Sequence, residues 1–178
     1  MAVTNDAVAA LTTRVGYDPG RTAAVARKFI DSGILPMGGP RHTPEITPQH
    51  VATLMLGVAL DCPLRAVADT VRQYRELRLG GLPENSGAPK RISTTAGDEL
   101  DILAEIAATG SPDAKARVAK TIISVVGNWP EITLTDPIDT RRFFAGTPGH
   151  WQAFGHRKSV EINGGAFVAA INDLFGDN

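Results

Sequence analysis

The sequence predicts an α+β protein: a mainly helical N-terminal part, then a small antiparallel sheet with helices. Three observations carry this. Apolar residues recur at helical spacing through roughly the first eighty positions. Thr121 to Val126 and Ile132 to Thr135 are β-branched runs on either side of Gly127-Asn128-Trp129-Pro130, the pattern of a two-stranded hairpin. Between these parts lies GGLPENSGAPK, Gly80 to Lys90, rich in Gly, Pro and small polar residues. The expected organisation is an N-terminal domain at 1–79, a linker at 80–91 and a C-terminal α+β domain at 92–178 that mediates assembly or binds a partner.

In chain order, a first helix is expected from Asp6 to Arg14, capped by Thr4 or Asn5, with Val8, Leu11 and Val15 on one face and Gly16 as its stop. Asp18-Pro19-Gly20 makes a turn and a cap for a second helix, Arg21 to Ser32, which Gly33 ends. Ile34 to Ile46, broken by prolines and glycines, reads as a tight loop or short hairpin. Thr47-Pro48 starts a third helix, since the hydroxyl can cap free amides and proline tolerates the first turn; Val51, Leu54, Met55, Val58 and Ala59 make it mostly core. A fourth helix is expected from Pro63 to Leu79. Beyond the linker come helices over Asp98 to Ala108 and from Ser111-Pro112, then the hairpin. A strand at Lys158 to Ile162 and, after Asn163-Gly164-Gly165, a closing helix with Phe167, Ala170, Ile171 and Leu174 complete the chain.

Composition narrows the function classes. The 178 residues are 43% hydrophobic and 21% charged, ordinary for a folded protein able to bury a core. The formal net charge of −1 argues against nonspecific coating of nucleic acid, which draws on excess Lys and Arg; a site-specific binder needs only a local basic face. A single cysteine, Cys62, excludes an internal disulfide framework and a thiolate zinc cluster. The start, MAVTNDAVAAL, has no basic region followed by a long apolar run, and no stretch of about 18 apolar residues occurs, so a cytoplasmic protein without a membrane span is expected.

Asp18 to Leu60 carries the most specific functional signal. A basic helix, a Gly33-Ile34-Leu35-Pro36 exit, a short basic loop and a newly capped helix follow one another in the order that builds a winged helix-turn-helix. On that reading Arg21, Arg27 and Lys28 face DNA from the recognition helix, while Arg41 and His42 reach a neighbouring groove or phosphate from the wing. Arginine suits this position because its fork matches two acceptors on guanine. The plainer alternative is the solvated face of an ordinary helical bundle.

These features resemble the winged helix-turn-helix of the MerR-like group, which includes phage excisionases and some phage small terminase subunits. Matching here are Val8 to Gly16 as first helix and turn, Arg21 to Ser32 as recognition helix, Arg41 in the wing, and Ile46-Thr47-Pro48-Gln49-His50-Val51 at the next helix start. The resemblance covers less than half of the chain and implies a site-specific binder of double-stranded DNA, oligomeric and of phage or mobile-element type, used in transcription regulation. A small terminase subunit that recognises viral DNA for packaging, and an interaction adaptor with no nucleic-acid role, are the two alternatives.

A second basic and aromatic patch spans Arg141 to Lys158, where Arg141, Arg142, Arg157 and Lys158 mix with Phe143, Phe144, Trp151 and Phe154. Such interleaving can stack bases and neutralise phosphates. The simpler reading makes the aromatics a core and the cations its rim, which the scarcity of aromatics elsewhere favours. Catalysis has no local signature: there is no Gly-x-Ser-x-Gly, no phosphate-binding loop, and no histidine spacing suited to a metal. The expectation is no enzyme, no cofactor and no metal.

Overall fold

The computed structural model describes residues 2–39, 43–81, 94–145 and 155–176. Helix α1 (Thr4–Ala10) starts where the Asp6 carboxylate accepts the Val3 N–H at 3.0 Å, so Val3, rather than Thr4 or Asn5, is the cap. It runs on into a π-helical turn, Leu11–Val15, and stops at Gly16. Helix α2 (Pro19–Asp31) is capped by Asp18, whose Oδ1 accepts the Arg21 N–H at 2.6 Å. Its buried stripe is Thr22, Val25, Ala26 and Phe29. Gly33, at φ 70°, supplies the left-handed residue that lets the chain leave the helix, as expected.

The middle of the loop after α2, residues 40–42, lies outside the described residues. Residues 34–39 and 43–46 contain no β-strand, although Gly39 forms a β-bridge; Leu35 and Ile46 are buried, and the Ile46 N–H donates to the Ala2 carbonyl at 3.0 Å. The apolar side chains thus pull both ends of the loop onto the core. Helix α3 (Pro48–Ala59) begins at Thr47 as the sequence indicates, with the Thr47 N–H donating to His50 Nδ1 at 3.0 Å. Every residue from Val51 to Ala59 is buried, which makes α3 the central helix.

Helix α4 (Val67–Arg75) is shorter than the Pro63 to Leu79 expected. Residues 63–66 form a turn closed by the Ala66 N–H on the Pro63 carbonyl at 2.9 Å, and Arg78–Leu79 leave the helix to become strand β1. The switch has a tertiary cause: β1 pairs with a later strand, and the Gly80 N–H donates to the Arg142 carbonyl at 2.8 Å.

Helix α5 (Ala96–Thr109) starts at a reciprocal cap between Thr95 and Asp98, and its Ala96 N–H returns to the Leu77 carbonyl at 2.8 Å. Helix α6 (Pro112–Val118) follows from Ser111. Strands β2 (Ile122–Val126), β3 (Glu131–Thr135), β4 (Thr140–Phe144) and β5 (Ser159–Asn163) join β1 in one antiparallel sheet of order β1-β4-β3-β2-β5. The predicted β2–β3 hairpin is present, with Ser124 opposite Thr133; the sequence pattern does not predict β4 or β1. The closing helix α7 (Gly164–Phe175) is capped by Asn163, whose Oδ1 accepts the Gly165 N–H at 2.7 Å. The fold is α+β.

Ile123, Val125, Ile132, Leu134, Phe143 and Ile162 belong to the sheet and join one apolar cluster with residues of α2, α3, α5 and α7. That cluster takes residues from both the first 79 positions and those after 94: α5 packs on α3, and α7 on α1 and its π turn, where Arg14 pairs with Asp173 at 2.7 Å. A single hydroxyl ties α4 to the sheet. Tyr74 Oη lies 2.6 Å from the Val126 carbonyl and 2.9 Å from that of Trp129, and burial pushes its pKa up, so it stays a neutral donor. Tyr74→Phe is expected to lower unfolding stability by about 1–2 kcal/mol, the range for removing a hydrogen bond at a buried site. Urea denaturation checks this, and an unchanged midpoint would rule out the tether.

Candidate nucleic-acid interface

The three helix cations expected to face DNA divide in the structure. Arg21, in the first turn of α2, folds back: its Nη2 donates to the Cys62 carbonyl, and its Nε is buried without a hydrogen-bond partner. A guanidinium engaged in this way positions the turn after α3 and is not displayed to a duplex. Arg27 is displayed, with 78% of its side chain exposed and Asp31 one turn on at 3.3 Å. Such an i,i+4 surface pair is worth only about 0.3–0.5 kcal/mol, so a phosphate can replace Asp31 at little cost. Lys28 is exposed and has no ion pair among the described residues. Arg41 and His42 lie outside the described residues.

The other side of α2 explains why these two side chains face outward. Val25, Ala26 and Phe29 are locked into the core, which leaves Arg27 and Lys28 on the solvent side of the same turn. Between α1 with its π turn and α2 runs an open groove of about 600 Å³, lined by Val8, Ala9, Ala23, Ala26, Arg27 and Ile30. The connection between these two helical segments is Gly16, Tyr17 and Asp18, a turn length compatible with a helix-turn-helix.

The second patch is largely neutralised by carboxylates of the same chain. Arg141 of β4 pairs with Glu99 of α5. Arg142 and Arg157 converge on Glu131 at 3.1 and 3.2 Å, and Arg142 also stands 5.7 Å over the Phe144 ring. Lys158 reaches Asp61 at 3.2 Å. Trp151 and Phe154 lie outside the described residues, whereas Phe143 and Phe144 are buried. The described part of this patch therefore follows the plainer of the two readings, buried aromatics with a compensated rim.

Glu131, which no sequence motif singles out, organises this region. Its side chain is 4% exposed; Oε2 accepts from Trp129 Nε1 at 3.2 Å and Arg142 at 3.1 Å, and Oε1 from Thr133 at 3.3 Å and Arg157 at 3.2 Å. Burial alone would push the carboxyl up, but the Trp129 and Arg142 hydrogen bonds and the two guanidinium charges outweigh it and hold Glu131 below the ordinary carboxylate range. Both oxygens are occupied, so the group braces the sheet and is not available as a base. Its signal in the sequence is one acid in an otherwise β-branched and apolar strand.

His50 lies in the first turn of α3. Its Nδ1 accepts the Thr47 N–H, and its pKa is lowered by burial above all, with Arg75 adding to the effect and Asp101 opposing it. The ring is a neutral cap for α3. No group of three or more His, Cys, Asp or Glu side chains among the described residues could hold a metal ion, and no helix there is long and apolar enough to cross a membrane. Comparison of the chain with protein-family models, with curated proteins and with solved structures gives no match.

Proposed function

We propose that this protein binds double-stranded DNA site-specifically through α2 and acts as a transcription regulator of phage or mobile-element type. The observation that carries the reading is the pairing of a short three-residue turn with a helix whose inner face is fixed in the core and whose outer face offers Arg27 and Lys28. Arg41 and His42, next along the sequence, are the candidates for contacts beside the groove. Arg21 leaves the proposed DNA face and becomes a structural residue. Because the whole chain carries a net charge of −1, attraction must be local, and affinity is expected to fall steeply with salt.

The test is a titration of labelled fragments of the neighbouring genomic DNA at several salt concentrations. Arg27→Ala and Lys28→Ala are each expected to weaken binding by roughly three- to tenfold and to make the salt slope shallower by about 1 for each phosphate no longer neutralised. Arg21→Ala, compared at matched folded fraction, should leave the slope unchanged. Absence of salt-dependent binding at low ionic strength, or the same affinity in the Arg27 and Lys28 variants, overturns the proposal.

A further inference from the structure

The β3–β4 turn holds apolar side chains off the helices beside it. Asp136 Oδ1 accepts the Ile138 and Asp139 N–H groups at 2.8 and 2.9 Å, and the Asp136 N–H donates to the Asp139 carbonyl at 2.9 Å. A turn fixed by its own hydrogen bonds does not collapse onto its neighbours, and Ile138 stays 93% exposed. Between the turn, α5 and α6 a slot of about 300 Å³ stays open, with Leu103 and Ile106 of α5, Val118 of α6, and Pro137 and Ile138 of the turn among its lining. Apolar groups thus meet the slot from three elements, and the slot is preformed.

Its charged lining is Arg117, Lys120, Asp136 and Arg141. Arg141 is matched by Glu99. The Ile138 and Asp139 N–H groups hold the Asp136 carboxyl below the ordinary carboxylate range, and the charges of Arg141 and Arg117 add to the effect. Asp136 is therefore ionised near neutrality and offsets Arg117. Lys120 is exposed and has no carboxylate at ion-pair distance among the described residues. Arg117, Lys120 and Arg141 set against Asp136 and Glu99 leave one positive charge in excess.

We infer that this slot binds a small monoanionic amphiphile: one carboxylate beside Lys120, carried on an apolar body that lies against Ile106, Val118 and Ile138. A volume of about 300 Å³ is at the lower end of small-molecule sites. At roughly 30 Å³ for each water-sized group it takes about ten heavy atoms. A single charge suits the site because the excess is one, and a dianion would be repelled by Asp136. The inference uses none of the residues assigned to DNA and stands or falls independently of that assignment.

The test titrates the full chain with octanoate and follows amide resonances by NMR. Saturable shifts are expected at Ile106, Lys120, Thr121 and Ile138, with a dissociation constant at or below about 1 mM, which about ten heavy atoms reach at ordinary efficiency. Octanol, which keeps the body and lacks the charge, and acetate, which keeps the charge and lacks the body, should each bind more weakly. Lys120→Glu should weaken octanoate at least about fivefold and leave octanol unchanged. Ile138→Ser, at an exposed position, should weaken both ligands with the thermal midpoint unchanged. Asp136→Asn keeps the Oδ1 acceptor that closes the turn and removes the acid from the slot, so it should tighten octanoate roughly threefold. Four outcomes overturn the inference: no saturable shift by about 10 mM octanoate, saturable shifts confined to residues outside the slot, octanol binding as tightly as octanoate, or an Asp136→Asn variant that binds octanoate no better than wild type.

Discussion

Replacing Glu131 with Gln is expected to lower stability at neutral pH by roughly 2–3 kcal/mol. Removing one partner of a fully buried ion pair costs about 3–5 kcal/mol, because the other charge is left without compensation. Here Arg142 and Arg157 keep 39% and 30% of their side-chain exposure, so water takes up part of the loss and the lower figure applies. The pH dependence has a definite sign. Glu131 is held below its ordinary value of 4.5 in the folded chain, so its contribution is complete above that value and is lost as pH falls through the folded one. The gap between wild type and Glu131→Gln should therefore be widest near neutrality and close in acid. Denaturant unfolding at pH 7 and at pH 3 measures both, and an equal gap at the two pH values would show that the carboxylate charge is not what holds the two arginines.

This residue also shows where reading the chain in one dimension stops. The caps Asp18, Thr47 and Ser111, each followed by proline, were legible because each is set by its own neighbours, and they place the starts of α3 and α6, whereas α2 begins at Pro19, two residues before the Arg21 expected. The β2–β3 hairpin was legible from its β-branched runs. Strand β4 was not, because Arg141 and Arg142 stand side by side where alternation expects one polar and one apolar residue. Their side chains are rewarded only by distant partners, Glu99 of α5 for one and Glu131 of β3 for the other. The two-residue β1 exists only because β4 lies beside it. Among the candidate site residues the same divide applies. The order of elements singled out Arg27 and Lys28, and both are exposed, but nothing near Arg21 in sequence announces the Cys62 carbonyl that engages its guanidinium.

Phe29→Ala should destabilise the protein by about 3–5 kcal/mol, the range for deleting a buried aromatic ring, since Phe29 is fully buried and the core cannot collapse completely around the vacancy. The size of that vacancy is tied to Gly57 of α3. A Cβ built at Gly57 would lie 2.9 Å from Phe29 Cε2, nearer still to Phe29 Cζ, and 3.2 Å from Val25 Cγ1. Glycine is there because the ring of α2 lies against the α3 backbone, despite the roughly 1 kcal/mol that alanine would gain in a helix interior. Two effects then oppose each other in Gly57→Ala. In the wild-type background overpacking, about 1–3 kcal/mol, outweighs helix propensity and the substitution destabilises. With Phe29 already alanine the clash with the ring is gone, Val25 can shift the few tenths of an ångström its 3.2 Å approach requires into the cavity, the new methyl fills part of that space, and the same substitution should stabilise. A reversal of sign between the two backgrounds is a coupling that only direct contact produces, and a double-mutant cycle measures it. Equal destabilisation in both would mean that α2 does not sit on α3 through this contact, and the outward presentation of Arg27 and Lys28 would lose its support.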